Sequence, residues 1–118
     1  MPQHISAPFI VGGVEPKLIE EYVGGVSTSS SHVSVARMVA PGGWEEPGQR
    51  PGFEEITVVL KGVLRVEHED GVLDVSAGEA IVTQVGEWVR YSTPGAVGAE
   101  YMAVCLPAFT PDSANRDE

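Results

Sequence analysis

Apolar and polar positions along this chain alternate in short runs that end on glycine or proline, the pattern of strands rather than helices. The strongest run is 55–62, EITVVLKG, rich in β-branched residues and closed by a glycine. Because a strand alternates its side chains, Glu55, Thr57 and Val59 share one face and Ile56, Val58 and Leu60 the other. A carboxylate therefore stands at the mouth of an apolar strand. Further strands are predicted over 33–40, 63–69, 72–75, 79–85, from 88 to 91 and over 100–106, with Asp70-Gly71 as a two-residue hairpin turn. Helix signals are sparse: 15–22, EPKLIEEY, is read as about two turns, with Pro16 suited to a first helical position. Seven or eight short strands at this spacing predict an all-β antiparallel sandwich or barrel.

The predicted organisation is an N-terminal arm over 1–32 with the short helix and a serine loop, a barrel over 33–106, and an acidic tail over 107–118. At 118 residues the chain is one domain, and 42% hydrophobic residues suffice for a core. Seventeen acidic against seven basic residues give a net charge of −10, which argues against nucleic acid and anionic membranes as partners. No targeting signal and no apolar run of spanning length is evident. The single cysteine, Cys105, has no internal disulfide partner, which fits a reducing cytoplasm, and its apolar strand marks it as core filler.

Two glycine-framed stretches carry a resemblance. In the first, Gly43, Glu55 and Gly62 fall on the glycines and glutamate of G-x5-H-x-H-x3-E-x6-G, with Gln49 and Pro51 at its histidine positions. In the second, Gly78 and Gly86 fall on the glycines of G-x5-P-x-G-x2-H-x3-N, with Gln84, Val89 and Thr93 at its proline, histidine and asparagine. The chain resembles the cupins. That resemblance implies a double-stranded β-helix, the cupin jelly-roll barrel, with at most one short N-terminal helix, and a back-to-back homodimer. Most cupins hold a divalent metal on three histidines and the glutamate; here only Glu55 remains of the four. Imidazole suits Zn, Fe, Ni and Cu, whereas proline and valine side chains offer no donor, so the expectation is no metal and no cofactor.

A carboxylate left inside a barrel without a metal must be protonated, paired or solvated. Arg37 and Arg50 are the candidate cations, with Arg37 the preferred pocket residue. The candidate catalytic set is Glu55 as acid or base with Tyr91 or Tyr101 as partner. The candidate ligand-binding set is Gln49, Trp44, Phe53, Arg37, Trp88, Val89 and Thr57. Aromatic side chains at a barrel mouth suit a partly apolar ligand, although any one of them can equally be core or dimer interface. The expected function is binding of a small, partly apolar molecule without metal. The alternatives are a metal-independent isomerase, lyase or cyclase using Glu55, and a metal-dependent oxygenase, which the missing histidines disfavour.

Overall fold

A computed structural model describes residues 2–12 and 14–117. It contains nine strands: β1 Phe9–Val11, β2 Leu18–Val23, β3 Ser34–Ala40, β4 Trp44–Glu45, β5 Glu54–His68, β6 Gly71–Ser76, β7 Ala80–Thr83, β8 Val89–Thr93 and β9 Ala99–Leu106. A 3-10 turn, Asp112–Ala114, follows. Every strand pairing is antiparallel. The expected all-β architecture is present.

Strand β5 organises the barrel. The sequence pattern predicts two strands here, but 15 residues run as one. Its first half lies between β9 and β7, and its second half between β6 and β8. The two halves thus belong to two sheets, and one chain segment ties them together. Register slips between Val59 and Lys61, and Gly62 then takes φ +74°, so the strand bends without breaking. A Cβ at Gly62 would collide with the Gly98 carbonyl oxygen, so only glycine fits.

Alternation along β5 decides what the barrel holds. Glu55, Thr57, Val59, Leu64 and Val66 are buried, while Val58 and Leu60 face outward. At one end, Val59, Leu64, Val66, Val75, Val89 and Trp44 form an apolar core, closed by Tyr91 and Tyr101. Each aliphatic side chain buried there contributes about 1.5–3 kcal/mol. At the other end, small and polar side chains leave space.

Both ends of the chain depart from expectation. The helix read over 15–22 is strand β2, paired from Leu18 opposite Val39 to Val23 opposite Val35. Two turns of helix are marginal alone, whereas β2 satisfies its backbone on β3 and alternates Ile19 and Glu21 inward with Leu18 and Glu20 outward. The segment read as an acidic tail runs back along the loop after β4. Gly52 N–H donates to Ser113 O at 2.7 Å, Arg50 N–H to Asn115 O at 3.2 Å and Asp117 N–H to Gly48 O at 2.8 Å. It closes the open end.

Gly62→Ala is expected to destabilise the protein by about 2 kcal/mol or more, through backbone strain and the Gly98 contact. Gly25→Ala, where a Cβ meets nothing within 4 Å, should change little. Urea midpoints of the two variants check this.

Candidate functional site

The space left at the open end is a cavity of about 60 Å³. Strand β5 supplies Glu55 and Thr57, β2 supplies Ile19 and Glu21, and β3 and β9 supply Ala36, Met38, Ala103 and Cys105. Lys17 enters from the residue before β2, and Glu46, Gln49 and Phe53 from the loop after β4. The C-terminal segment adds Phe109, whose ring meets Phe53 edge-on at 5.8 Å, and Arg116. Tyr91 and Tyr101 belong both to the apolar core and to the cavity wall, so they separate the two.

Glu55 has no cation on its oxygens. The Tyr91 hydroxyl donates to Oε1 at 2.9 Å, and the Cys105 thiol lies 3.8 Å from Oε2, a long, weak donor. Burial pushes the Glu55 pKa above the usual carboxylate range; the Tyr91 hydrogen bond and the Lys17 charge oppose the rise only in part. Tyr91 and Tyr101 are pushed well above an ordinary phenol, first by burial and then by the neighbouring carboxylates. Burial likewise raises Cys105, so it is a thiol rather than a thiolate, as expected of core filler.

The cavity's cation is Lys17, a residue absent from the sequence-derived candidates. Its side chain is 5% exposed, and Nζ lies 3.7 Å from Glu46 Oε2, itself on a side chain only 4% exposed. The ammonium also donates to Tyr101 Oη at 3.4 Å and sits 4.4 Å from the centre of the Trp44 ring. Burial pulls its pKa below that of an ordinary lysine, against the attraction of Glu46 and Glu55. Arg116 approaches the same Glu46 oxygen at 3.8 Å. Both cations are beyond hydrogen-bond reach of Oε2, and that oxygen and Gln49 Oε1 are buried without a hydrogen-bond donor.

Of the sequence candidates, Glu55, Tyr91, Tyr101, Gln49, Phe53 and Thr57 converge on the cavity. The others lie elsewhere. Arg37 faces outward and pairs with Glu20 and with Glu100, the latter at 2.9 Å, because its strand turns Ser34, Ala36 and Met38 inward instead. Arg50 pairs with Glu69 at 2.9 Å on the surface. Trp88 donates its indole N–H to Asp117 at 3.0 Å, fastening the C-terminal segment outside the barrel. Val89 is buried in the core, and Trp44 lies beneath Lys17 with its N–H on Val14 O at 2.9 Å. Lys17 was hidden by the helix reading of 15–22. Strand alternation would have found it, two residues before Ile19 and four before Glu21. Glu46 follows the same logic, two residues after the buried Trp44.

The metal implied by the cupin resemblance does not fit these residues. At its four ligand positions stand a carboxamide, a proline, a carboxylate and a valine, which make at most two oxygen donors. Among the described residues no three His, Cys, Asp or Glu side chains are placed to hold an ion.

A carboxylic acid whose folded pKa lies above its unfolded value contributes most stability below the unfolded pKa and loses it as pH rises. For Glu55 the loss begins near 4.5 and extends upward. Glu55→Gln keeps an acceptor for Tyr91 but cannot ionise. Melting temperatures from pH 4 to 8 are expected to show the variant gaining on the parent as pH rises; parallel curves would contradict this.

No family model matches the chain. Over 101 residues, 86% of its length, it is 45% identical to the endoribonuclease YbeY of Myxococcus xanthus. It spans only about a third of that protein, 34%. Among solved structures, an RmlC-like cupin from Shewanella frigidimarina superposes with a TM-score of 0.75 at 13% identity, covering 91% of this chain and 93% of that one. A predicted oxalate decarboxylase from Thermotoga maritima gives 0.70 at 19% identity, covering 91% and 99%. A putative ethanolamine utilization protein Q from Salmonella typhimurium gives 0.66 at 23% identity, covering 86% and 80%. At these identities the shared property is the fold, and the fold is the cupin barrel.

Proposed function

We propose that this cupin barrel binds a small, partly apolar molecule directly on protein groups, without a metal. The observation that carries the reading is the pair of buried acceptors without donors, Glu46 Oε2 and Gln49 Oε1, beside a cavity walled by Ile19, Met38 and Phe53. A ligand that offers hydroxyl donors to the first and hydrocarbon to the second satisfies both. The volume of about 60 Å³ is well below the roughly 150 Å³ that accepts benzene, so the occupant has only a few non-hydrogen atoms.

Diols of two to four carbons serve as probes. A diol at a hundred times its dissociation constant is expected to raise stability by about 2.7 kcal/mol, read as a shift in melting temperature. Gln49→Leu should abolish the shift. Indifference to every diol, or a stoichiometric metal in protein purified without chelator, would defeat the reading.

A second reading rests on the 2.9 Å contact between Tyr91 and Glu55. A carboxyl group held toward its neutral form is suited to donate and retake a proton, as isomerases, lyases and cyclases require. Hydrogen–deuterium exchange at the carbon next to the carbonyl of dihydroxyacetone, lost in Glu55→Gln, distinguishes catalysis from binding alone.

RNA cleavage does not follow from the Myxococcus relative. A net charge of −10 repels phosphates, and the cavity is too small for a nucleotide. The partner favoured here is a second copy of the chain. Across β7, β5 and β9, Val82, Ile56 and Val104 stand side by side, and Val58 and Val82 are 39% and 50% exposed. Such a patch is self-complementary under two-fold symmetry, which also fits the cupin resemblance. Light scattering is expected to give twice 12.5 kDa, and Val58→Glu to halve it. Among the described residues no helix is long and apolar enough to cross a membrane, which says nothing of strands. The buried, unpaired Cys105 suits a reducing compartment, and we place the protein in the cytoplasm on that ground.

A further inference from the structure

Lysine is among the residues most rarely buried, and its amine is desolvated only at a cost. Lys17 is nonetheless buried at the cavity wall, and its only carboxylate contact is a 3.7 Å approach to Glu46 rather than a hydrogen bond. Methionine would fill the same space over the Trp44 ring at no such cost. The amine and the carboxylate beside it line one cavity, and the unmatched Gln49 belongs to the same wall. That combination gives the lysine a chemical use.

We propose that Lys17 is a carbonyl-reactive amine that condenses reversibly with a small hydroxyaldehyde or hydroxyketone held in the barrel cavity. The inference rests on the small-molecule reading above and names a substrate class for it. Glu46 takes a proton from the Lys17 ammonium, and the free Nζ lone pair attacks the carbonyl carbon. A C–N bond forms as the carbonyl π bond breaks, and the carbonyl oxygen becomes a hydroxyl by taking a proton from the attacking nitrogen. Loss of that hydroxyl as water, with the proton returned by Glu46, lets nitrogen form the C=N bond. The balance is amine plus carbonyl to imine plus water, with no change of oxidation state. The ligand's own hydroxyl donates to Gln49 Oε1 or Glu46 Oε2, acceptors buried without a donor on two residues of the cavity wall.

Two features favour the free amine. The side chain is desolvated, and a second cation, Arg116, approaches the same Glu46 oxygen. Both are recognised ways of activating a lysine, which in water is only about one part in a thousand neutral near pH 7.

The chain provides its own control, because it has one other lysine, Lys61, on the exposed surface of β5. The intact protein is incubated with glycolaldehyde and sodium cyanoborohydride near pH 7, which reduces any imine to a stable secondary amine. Peptide mapping by mass spectrometry then compares the two sites. Lys17 is expected to be labelled about tenfold faster than Lys61 despite its burial, as an activated amine requires. Addition of the diol bound in the preceding test should suppress labelling at Lys17 and leave Lys61 unchanged. Labelling that follows exposure, with Lys61 modified and Lys17 spared, overturns the inference. If the diols still shift the melting temperature in that case, the binding reading stands and only the amine chemistry is lost.

Discussion

A buried carboxylate without a cation on it is the constraint from which the site follows. Glu55 points inward because β5 alternates, and nothing in the strand allows it to turn away: Thr57 and Val59 share its face, and Ile56 and Val58 occupy the other. A charge held there would lose several kcal/mol of solvation. The barrel meets that cost with two weakly acidic donors, a phenol and a thiol, and by burial that favours the protonated acid. Tyr91 therefore does two things. It closes the apolar core on one side and supplies the hydrogen bond to Glu55 on the other, so core packing and site chemistry cannot be varied separately.

The long strand fixes the remaining geometry. One continuous segment crosses from the first sheet to the second at Gly62; Glu55 and Thr57, farthest before the crossing, face the cavity, while Val59, Leu64 and Val66 fill the core. The cavity is thus not a defect in packing. It is the half of the barrel where β3 and β9 contribute serine, alanine, methionine and cysteine rather than large aliphatics, and where the C-terminal segment folds back to form a lid of Phe109 and Arg116.

How much of this was legible in the chain depended on whether one period was read correctly. In 55–62 the β-branched residues leave no ambiguity about the face that carries Glu55 and Thr57, and the turn at Asp70-Gly71 is equally plain, but the strand end expected at Gly62 is a bend inside one longer strand. In 15–22 the period was misjudged. Pro16, suited to a first helical position, favours a helix over this stretch, and that reading hides the alternation of Lys17, Ile19 and Glu21 and with it the lysine inside the barrel. Arg37 was assigned to the pocket through its own strand's alternation, but that alternation cannot say which face is inward. Only the pairing of β3 between β2 and β9, with Glu20 and Glu100 flanking the guanidinium, decides it. The role of residues 107–117 was not readable at all, since their partners along 48–52 are set by backbone hydrogen bonds that no side-chain pattern announces.

The charge count inside the barrel then explains why a lysine sits where it does. In the cupins this chain resembles, one divalent ion balances the glutamate and orients the ligand. Here three inward carboxylates, Glu21, Glu46 and Glu55, face two cations, Lys17 and Arg116; Glu21 accepts the backbone N–H of Val26 and Ser27, and both cations gather on Glu46. Glu55 is left to neutral donors and a proton, which is the cheaper solution for an acid in low dielectric. Neither cation sits on Glu55, and the pairing at Glu46 is loose, at 3.7 and 3.8 Å, so that its Oε2 is buried without a hydrogen-bond donor. A metal site fixes its occupant through directed bonds from a rigid ligand set. This barrel keeps the same inward glutamate, with the Tyr91 and Cys105 donors on it and the Glu46 and Gln49 acceptors across the cavity, and these are the groups through which the proposed ligand would be held. On the function proposed above, such a surface would favour a small molecule with both a hydroxyl and an electrophilic carbon over any simple anion.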